Sequence, residues 1–317
     1  MKDSTASIQH SPEPTKTTLH DREELESIRV ATPPFSRKQL HQEPIFSDML
    51  HKVGHDIGNP LTAIVSIAAL IERFPQEHAQ ITPEFIERTR RYGASIAEEA
   101  WRIAALNEKL VLLLSERQPN FDSVDIRQTI DRALSKARSR LGDKRIFITH
   151  QTVRAGEEVP IPTVTISSGT TSTASSVTGS SLSVLGDFDQ LLVVFTEILT
   201  NAYQVFRHED QGINTNNLVP SAPPPVECVI QEIGDSISIC FSNPQPSAFN
   251  KGPVERNLAD LFLPGITTYS DSKHTGLGLS TIWSTIERMG GTVNIADGET
   301  KDGKHRFFTE IVLPSAN

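Results

Sequence analysis

From residue 46 onward apolar side chains recur at alternating spacings of three and four: Phe46, Leu50, Val53, Ile57, Leu61, Ile64, Ala68 and Ile71. That period predicts a long helix with one apolar seam, ended by Pro75. A second seam, Phe85, Thr89, Tyr92, Ile96, Ile103, Leu106, Leu110 and Leu113, follows Thr82-Pro83, where Thr82 suits an N-cap and Pro83 the first helical position. Two long helices joined by a short polar turn predict an antiparallel hairpin whose apolar stripe is wider than one partner helix can cover. Pairing two such hairpins into a four-helix bundle would cover it, so residues 44–117 are expected to form a homodimer.

Beyond Pro119, read as a hinge, the pattern changes to alternating helices and strands. Val124 to Ala137 has a helical period, Arg145 to Val153 alternates as a strand does, and Asp187 to Phe206 returns to helix. A proline-rich break at 220–225 precedes two strand-like runs, Glu227 to Ile233 and Ser236 to Phe241, which predict a hairpin through Gly234-Asp235. A helix over Leu277 to Met289 and strands over Thr292 to Ala296 and Phe307 to Leu313 complete the chain. The predicted class is α+β: a helical hairpin that dimerises, followed by a two-layer α/β sandwich. Residues 1–43 lack a period and are expected to be a disordered tail with a short helix around 21–30. The sandwich domain spans 118–317, and the Ser-, Thr- and Gly-rich stretch 155–183 is expected to be a flexible insertion, since it has too little apolar surface to offset its ordering entropy.

Composition narrows the function. The formal charge of −9 and the lack of a long Lys/Arg block argue against nucleic acid as a partner. No window approaches the roughly eighteen consecutive apolar residues of a membrane span, and the first residues lack an apolar leader core, so no membrane insertion and a cytoplasmic location are expected. Cys228 and Cys240 both fall in strand-like runs and read as small buried core residues of a reducing compartment, with no disulfide required.

The first helix carries the candidate chemistry in His55-Asp56-Ile57-Gly58-Asn59-Pro60-Leu61. His55 lies two residues after the seam position Val53, so its ring projects away from the seam. An exposed neutral imidazole is a nucleophile, and Asp56 beside it can orient the ring or take its proton. Asn59, one turn on, can place a water against a phosphoryl group, and Pro60 favours a bend beside the histidine. The segment resembles the H-box of two-component histidine kinases, with Gly58 where many members have Arg. His-Asp-Ile-Gly also opens the metal core of HD-type phosphohydrolases, but that alternative needs more ligands. His51 and His78 are the nearby candidates, with no second metal motif.

Downstream stretches extend the resemblance. Glu197-Ile198-Leu199-Thr200-Asn201-Ala202 resembles the N-box of the histidine-kinase and gyrase-type ATPases, which implies Asn201 as a ligand of Mg²⁺ and Glu197 as holder of a metal-bound water or as a base. Leu261-Phe262-Leu263-Pro264-Gly265, with Thr267-Thr268 and Lys273, resembles the F-box and lid, and Thr275-Gly276-Leu277-Gly278 resembles the second glycine box, whose backbone approaches phosphate. The first glycine box departs furthest: where the family has an Asp for the adenine amine, this chain has Asn243 between Ser242 and two prolines, which implies weak ATP binding. The resemblance covers about residues 45–317. It implies a kinase that autophosphorylates His55 from ATP with Mg²⁺ and passes the phosphoryl group to a response regulator receiver domain, with a phosphatase role for Asn59. The alternative within the same fold is a catalytically weak scaffold or phosphotransfer protein.

Overall fold

In the computed structural model, the described residues are 25–34, 36, 39, 44–77, 82–115, 118–141, 148–153, 182–212, 226–244, 257–267, 275–300 and 305–316. The two seams form helices α1 (Pro44–Glu77) and α2 (Pro83–Leu114). Thr82 caps α2 as its sequence requires, its hydroxyl accepting from the Phe85 N–H at 3.2 Å, with Pro83 in the first turn. Pro75 does not end α1, which runs to Glu77. Pro75 falls two residues before the end, where little helix remains for it to disrupt. Pro60, in mid-helix, leaves α1 continuous, and the Thr62 hydroxyl donates to the Gly58 carbonyl at 2.8 Å just beyond it.

The second domain is a sandwich of helices on a mixed sheet. Its elements are β2 (Asp122–Asp125), α3 (Ile126–Leu141), β3 (Ile148–Val153), β4 (Ser183–Gly186), α4 (Phe188–Gly212), β5 (Val226–Ile233), β6 (Ser236–Pro244), a 3-10 turn at Leu258–Phe262, α5 (Gly278–Arg288), β7 (Thr292–Thr300) and β8 (His305–Pro314). The strand β1 (Leu25–Ala31) completes a six-stranded sheet in the order β1-β7-β8-β6-β5-β3, antiparallel except for β3 on β5. Along β6 the residues Ile237, Ile239 and Phe241 are buried at alternate positions, and Phe241 meets Phe195 of α4 with ring centroids 5.6 Å apart. The core between helices and sheet therefore comes from the period of two in the strands and of 3.6 in the helices. Gly234, with φ 57°, makes the β5–β6 turn where expected.

Two further expectations are corrected. Residues 25–31, expected within a disordered tail or short helix, form the edge strand β1: Val30 stands opposite Ala296, Ala31 opposite Ile295, and Arg29 pairs with Asp297 at 2.7 Å. A lone strand of seven residues carries no period that separates it from tail, and the free edge of β7 selects it. Val124, expected in a helix, lies in β2, which pairs with the equally unforeseen β4. The expected flexible insertion at 155–183 lies outside the described residues up to 181, and Ser183 opens β4.

Both cysteines are free and buried. Cys228 stands opposite Phe241 and Cys240 opposite Val229, so the thiols point to opposite faces of the sheet, and burial pushes the Cys228 thiol well above the usual range.

The hairpin is not a separate appendage. Leu106 and Leu113 of α2 are buried, Glu108 pairs with Lys136 at 3.2 Å and with Arg140 on α3, and Arg288 of α5 donates to the Ser115 carbonyl at 3.2 Å. Burial of Glu108 opposes its ionisation, but the two cations outweigh it and hold the carboxyl below its ordinary range. The end of α2 is thus built into the sandwich, whereas Leu50, Leu61, Val65, Ile86 and Trp101 of the hairpin stay exposed.

Candidate functional site

His55 is exposed on α1, as its offset from the seam demands. Its Nδ1 lies 3.2 Å from the side-chain amide nitrogen of Asn59, one turn away. This contact bears on which ring nitrogen holds the proton: an amide N–H donated to Nδ1 leaves the proton on Nε2, whereas the rotated amide, accepting from Nδ1–H, frees Nε2 for attack. Asp56 is only partly exposed, and its Oδ2 is buried without a hydrogen bond among the described residues. The hydrogen-bond partner of the ring is therefore Asn59 rather than Asp56.

Residues expected to hold nucleotide meet at one place. Glu197 and Asn201 lie one turn apart on α4, and Glu197 is buried to 3% exposure. Gly278 opens α5, and a Cβ added there would lie 2.7 Å from Glu197 Oε1 and 2.8 Å from Asn201 Nδ2. A side chain there would displace the ends of both polar side chains, so a glycine suits this close approach of α5. Gly276, with φ 67°, lies against the backbone of Gly265 and Ile266, and the Gly265 N–H donates to the Gly276 carbonyl at 3.0 Å. Thr275 accepts weakly from the Leu277 N–H at 3.4 Å, and no side chain caps the N-terminus of α5 among the described residues. Uncapped amides and the positive end of the helix dipole are features that could hold the oxygens of an anion such as phosphate.

The chain is 25% identical over 284 residues to the sensor histidine kinase ZraS of Klebsiella oxytoca, across 86% of this chain and 49% of that protein. In sequence it is similar to a sensor histidine kinase. The chain spans about half the length of this curated relative. No protein-family model matches it. Among solved structures, the Acinetobacter baumannii histidine kinase AdeS has 13% identity and a TM-score of 0.47, with 83% of this chain and 98% of that one covered. The histidine kinase ThkA, solved in complex with the response regulator protein TrrA, has 16% identity and a TM-score of 0.48, covering 91% of this chain and 75% of that one.

Asn243 is buried at the end of β6, its amide N–H donating to the Pro244 carbonyl at 3.3 Å. Lys273 and Thr268 lie outside the described residues, as does His78. Two lysines of the hairpin were not foreseen. Lys109 of α2 reaches Glu197 at 2.6 Å, and Lys52 of α1 donates to the Gly265 carbonyl at 3.0 Å. The one signal for Lys109 was a lysine followed by the apolar run Leu110 to Leu114, which reads equally well as a solvated position.

The Lys109–Glu197 pair is largely buried, with side chains 18% and 5% exposed. Removing one partner of such a pair strands the other charge, at a cost of about 3–5 kcal/mol. Lys109→Met should lower stability by that order in denaturant titration, and Lys109→Met with Glu197→Gln should recover most of it, since neither charge then remains. A double variant as unstable as Lys109→Met would show that the lysine acts through packing of its stem.

Proposed function

We propose that the protein is an ATP-dependent histidine kinase that phosphorylates His55 and passes the phosphoryl group to an aspartate of a response regulator receiver domain. The observation that carries this reading is the seating of Gly278 against Glu197 and Asn201, which brings a phosphate-binding helix start onto a metal-binding pair. The donor set fits Mg²⁺-ATP: an amide oxygen at Asn201, a carboxylate at Glu197, and uncapped amides at the start of α5. Bound there, Mg²⁺-ATP would supply a charge-neutralised transferable phosphoryl group. Asn201 would hold the metal. Glu197 would hold a metal-bound water once released from Lys109. Asn243, with its N–H on Pro244, would offer its amide oxygen to the adenine amine. His55 supplies the nucleophilic nitrogen, Asp56 is the neighbouring base for the ring proton, and Asn59, one turn on, would place a water against the phosphoryl group of the partner.

Incubation with labelled ATP and Mg²⁺ tests the reading. Acid-labile, alkali-stable phosphate on the protein is the expected result. A folded chain that binds no nucleotide and gains no label would favour the scaffold reading, which the uncharged Asn243 motivates. Stoichiometric transition metal in the purified protein would favour the HD-type hydrolase instead. The exposed apolar residues Leu50, Leu61, Val65, Ile86 and Trp101 support a homodimer through the hairpin, and light scattering at micromolar concentration should report twice the chain mass. A stable monomer would contradict it.

The phosphatase role of Asn59 has its own test. Asn59→Ala should slow dephosphorylation of the partner by roughly ten- to a hundredfold, about 1.4–2.7 kcal/mol in barrier height, as expected for one positioning contact. Autophosphorylation should be largely unchanged. Equal loss of both activities would assign Asn59 to the ring of His55 alone, through the contact at 3.2 Å.

A further inference from the structure

Alone among the described strands, β1 precedes the hairpin in the chain. It closes the edge of β7 from Leu25 to Ala31, and its end touches both faces of the sheet. Val30 packs on one face against Cys240, Ala296 and Phe308, whereas Ala31 is buried on the other, in the core that holds Phe262. Arg29 stands directly opposite Asp297 and pairs with it at 2.7 Å, which fixes the register. A slip of one residue would set Ile28 or Val30 against a carboxylate whose Oδ1 is already buried without a hydrogen bond among the described residues. The strand also lies beside the 3-10 turn Leu258–Phe262. From that turn a relay of backbone hydrogen bonds reaches the second glycine box. The Leu263 N–H donates to the Asp260 carbonyl at 3.0 Å, the Ile266 N–H to the Leu263 carbonyl at 3.2 Å, and the Gly265 N–H to the Gly276 carbonyl at 3.0 Å.

We propose that β1 is a regulatory clasp: its seating on β7 holds the Leu258–Phe262 turn in place, and its release loosens the nucleotide site at the second glycine box. This role rests on the reading of Gly276 and Gly278 as holders of nucleotide, and adds to it a means of control. Residues 32–43 connect β1 to α1, so displacement of the start of the phosphoacceptor helix pulls on the strand. The seat and the turn beside it are the same whichever copy of the chain supplies the strand. The clasp is built to open. Arg29 keeps 64% of its side chain exposed, so water screens its pair with Asp297, and Val30 is only partly buried. What remains is main-chain pairing along one edge, which opens locally more readily than β6 or β8, each paired on both sides. The coupling is reciprocal: if seating of β1 favours bound nucleotide, bound nucleotide favours seating by the same factor.

Amide hydrogen exchange and nucleotide titration on the full chain test the clasp. Arg29→Glu sets two carboxylates opposite each other and should release the strand, seen as faster exchange of the β7 amides that face it. In the same variant the amides of residues 258–266 should exchange faster, and the affinity for Mg²⁺-ATP should fall roughly tenfold, a usual size for coupling between sites. Arg29→Glu with Asp297→Arg reverses the pair and should restore all of these. Release of the strand with unchanged exchange at 258–266 overturns the proposal, and so does release with unchanged affinity for Mg²⁺-ATP. Should Arg29→Glu leave the strand seated, the wild-type chain gives the answer from the other side. Saturating Mg²⁺-ATP then slows exchange within residues 25–31 by roughly tenfold, and an unchanged rate there overturns the clasp. Wild-type protein that binds no Mg²⁺-ATP would defeat the nucleotide reading itself, a separate result, since exchange at 258–266 in Arg29→Glu reads the hold of strand on turn without nucleotide.

Discussion

His55→Gln abolishes incorporation of phosphate from ATP while leaving nucleotide affinity unchanged. The reason lies in the separation of the two tasks. The imidazole is exposed on α1, and glutamine is a better helix former than histidine, so the replacement neither opens a cavity nor strains the helix. The residues proposed to hold nucleotide, Glu197, Asn201, Gly276 and Gly278, sit on α4 and at the start of α5. An amide side chain has no nitrogen lone pair able to form a phosphoramidate, so the loss should be complete rather than partial. Autoradiography of the variant after acid and alkali treatment, alongside a nucleotide-binding titration, reads both halves of the prediction. Phosphate that persists in the variant would place the acceptor elsewhere. Loss of nucleotide binding with the loss of phosphate would show that the two domains are coupled through this turn.

Gly276→Ala is expected to have the largest effect on the sandwich. The residue has φ 67°, a left-handed conformation that costs an L-residue roughly 1–2 kcal/mol. A Cβ would also lie 2.5 Å from the Gly265 carbonyl carbon and 2.6 Å from the Ile266 carbonyl oxygen. These are backbone atoms that cannot rotate away, so an overpacking cost of about 1–3 kcal/mol is added. A total near 2–5 kcal/mol should appear in denaturant unfolding, together with weakened nucleotide binding as the loop from Gly265 shifts. Gly290 provides the control: its φ is 75°, but a Cβ there would meet nothing within 4 Å. Gly290→Ala should show only the backbone cost, about 1–2 kcal/mol, and leave nucleotide affinity alone. Equal losses in the two variants would mean that the close approach at Gly276 relaxes without consequence.

The two helices of the hairpin were legible because their seams repeat over many turns, so a single misread residue does not alter the result. The exception at Pro75 concerns a boundary, the feature of a helix that its sequence places least well. The strands β5 and β6 were legible for a similar reason, with a turn at Gly234-Asp235 that the local residues enforce. By contrast β1, β2 and β4 have four to seven residues each, and nothing in such short runs distinguishes a strand from extended coil.

By itself the sequence determined the local terms: helical period, caps, turns, and the order of four boxes along the chain. Each depends on residues close enough in the chain to interact through the backbone they share. Only the tertiary structure decided that Gly278 approaches Glu197 and Asn201, that Lys109 neutralises Glu197, and that Lys52 reaches the Gly265 carbonyl. Those contacts join residues far apart in the chain, and neither lysine carries a pattern that marks it from a solvated one. Their energy comes from desolvated charge and close approach, which exist only after α2 has packed on the sandwich through Leu106 and Leu113.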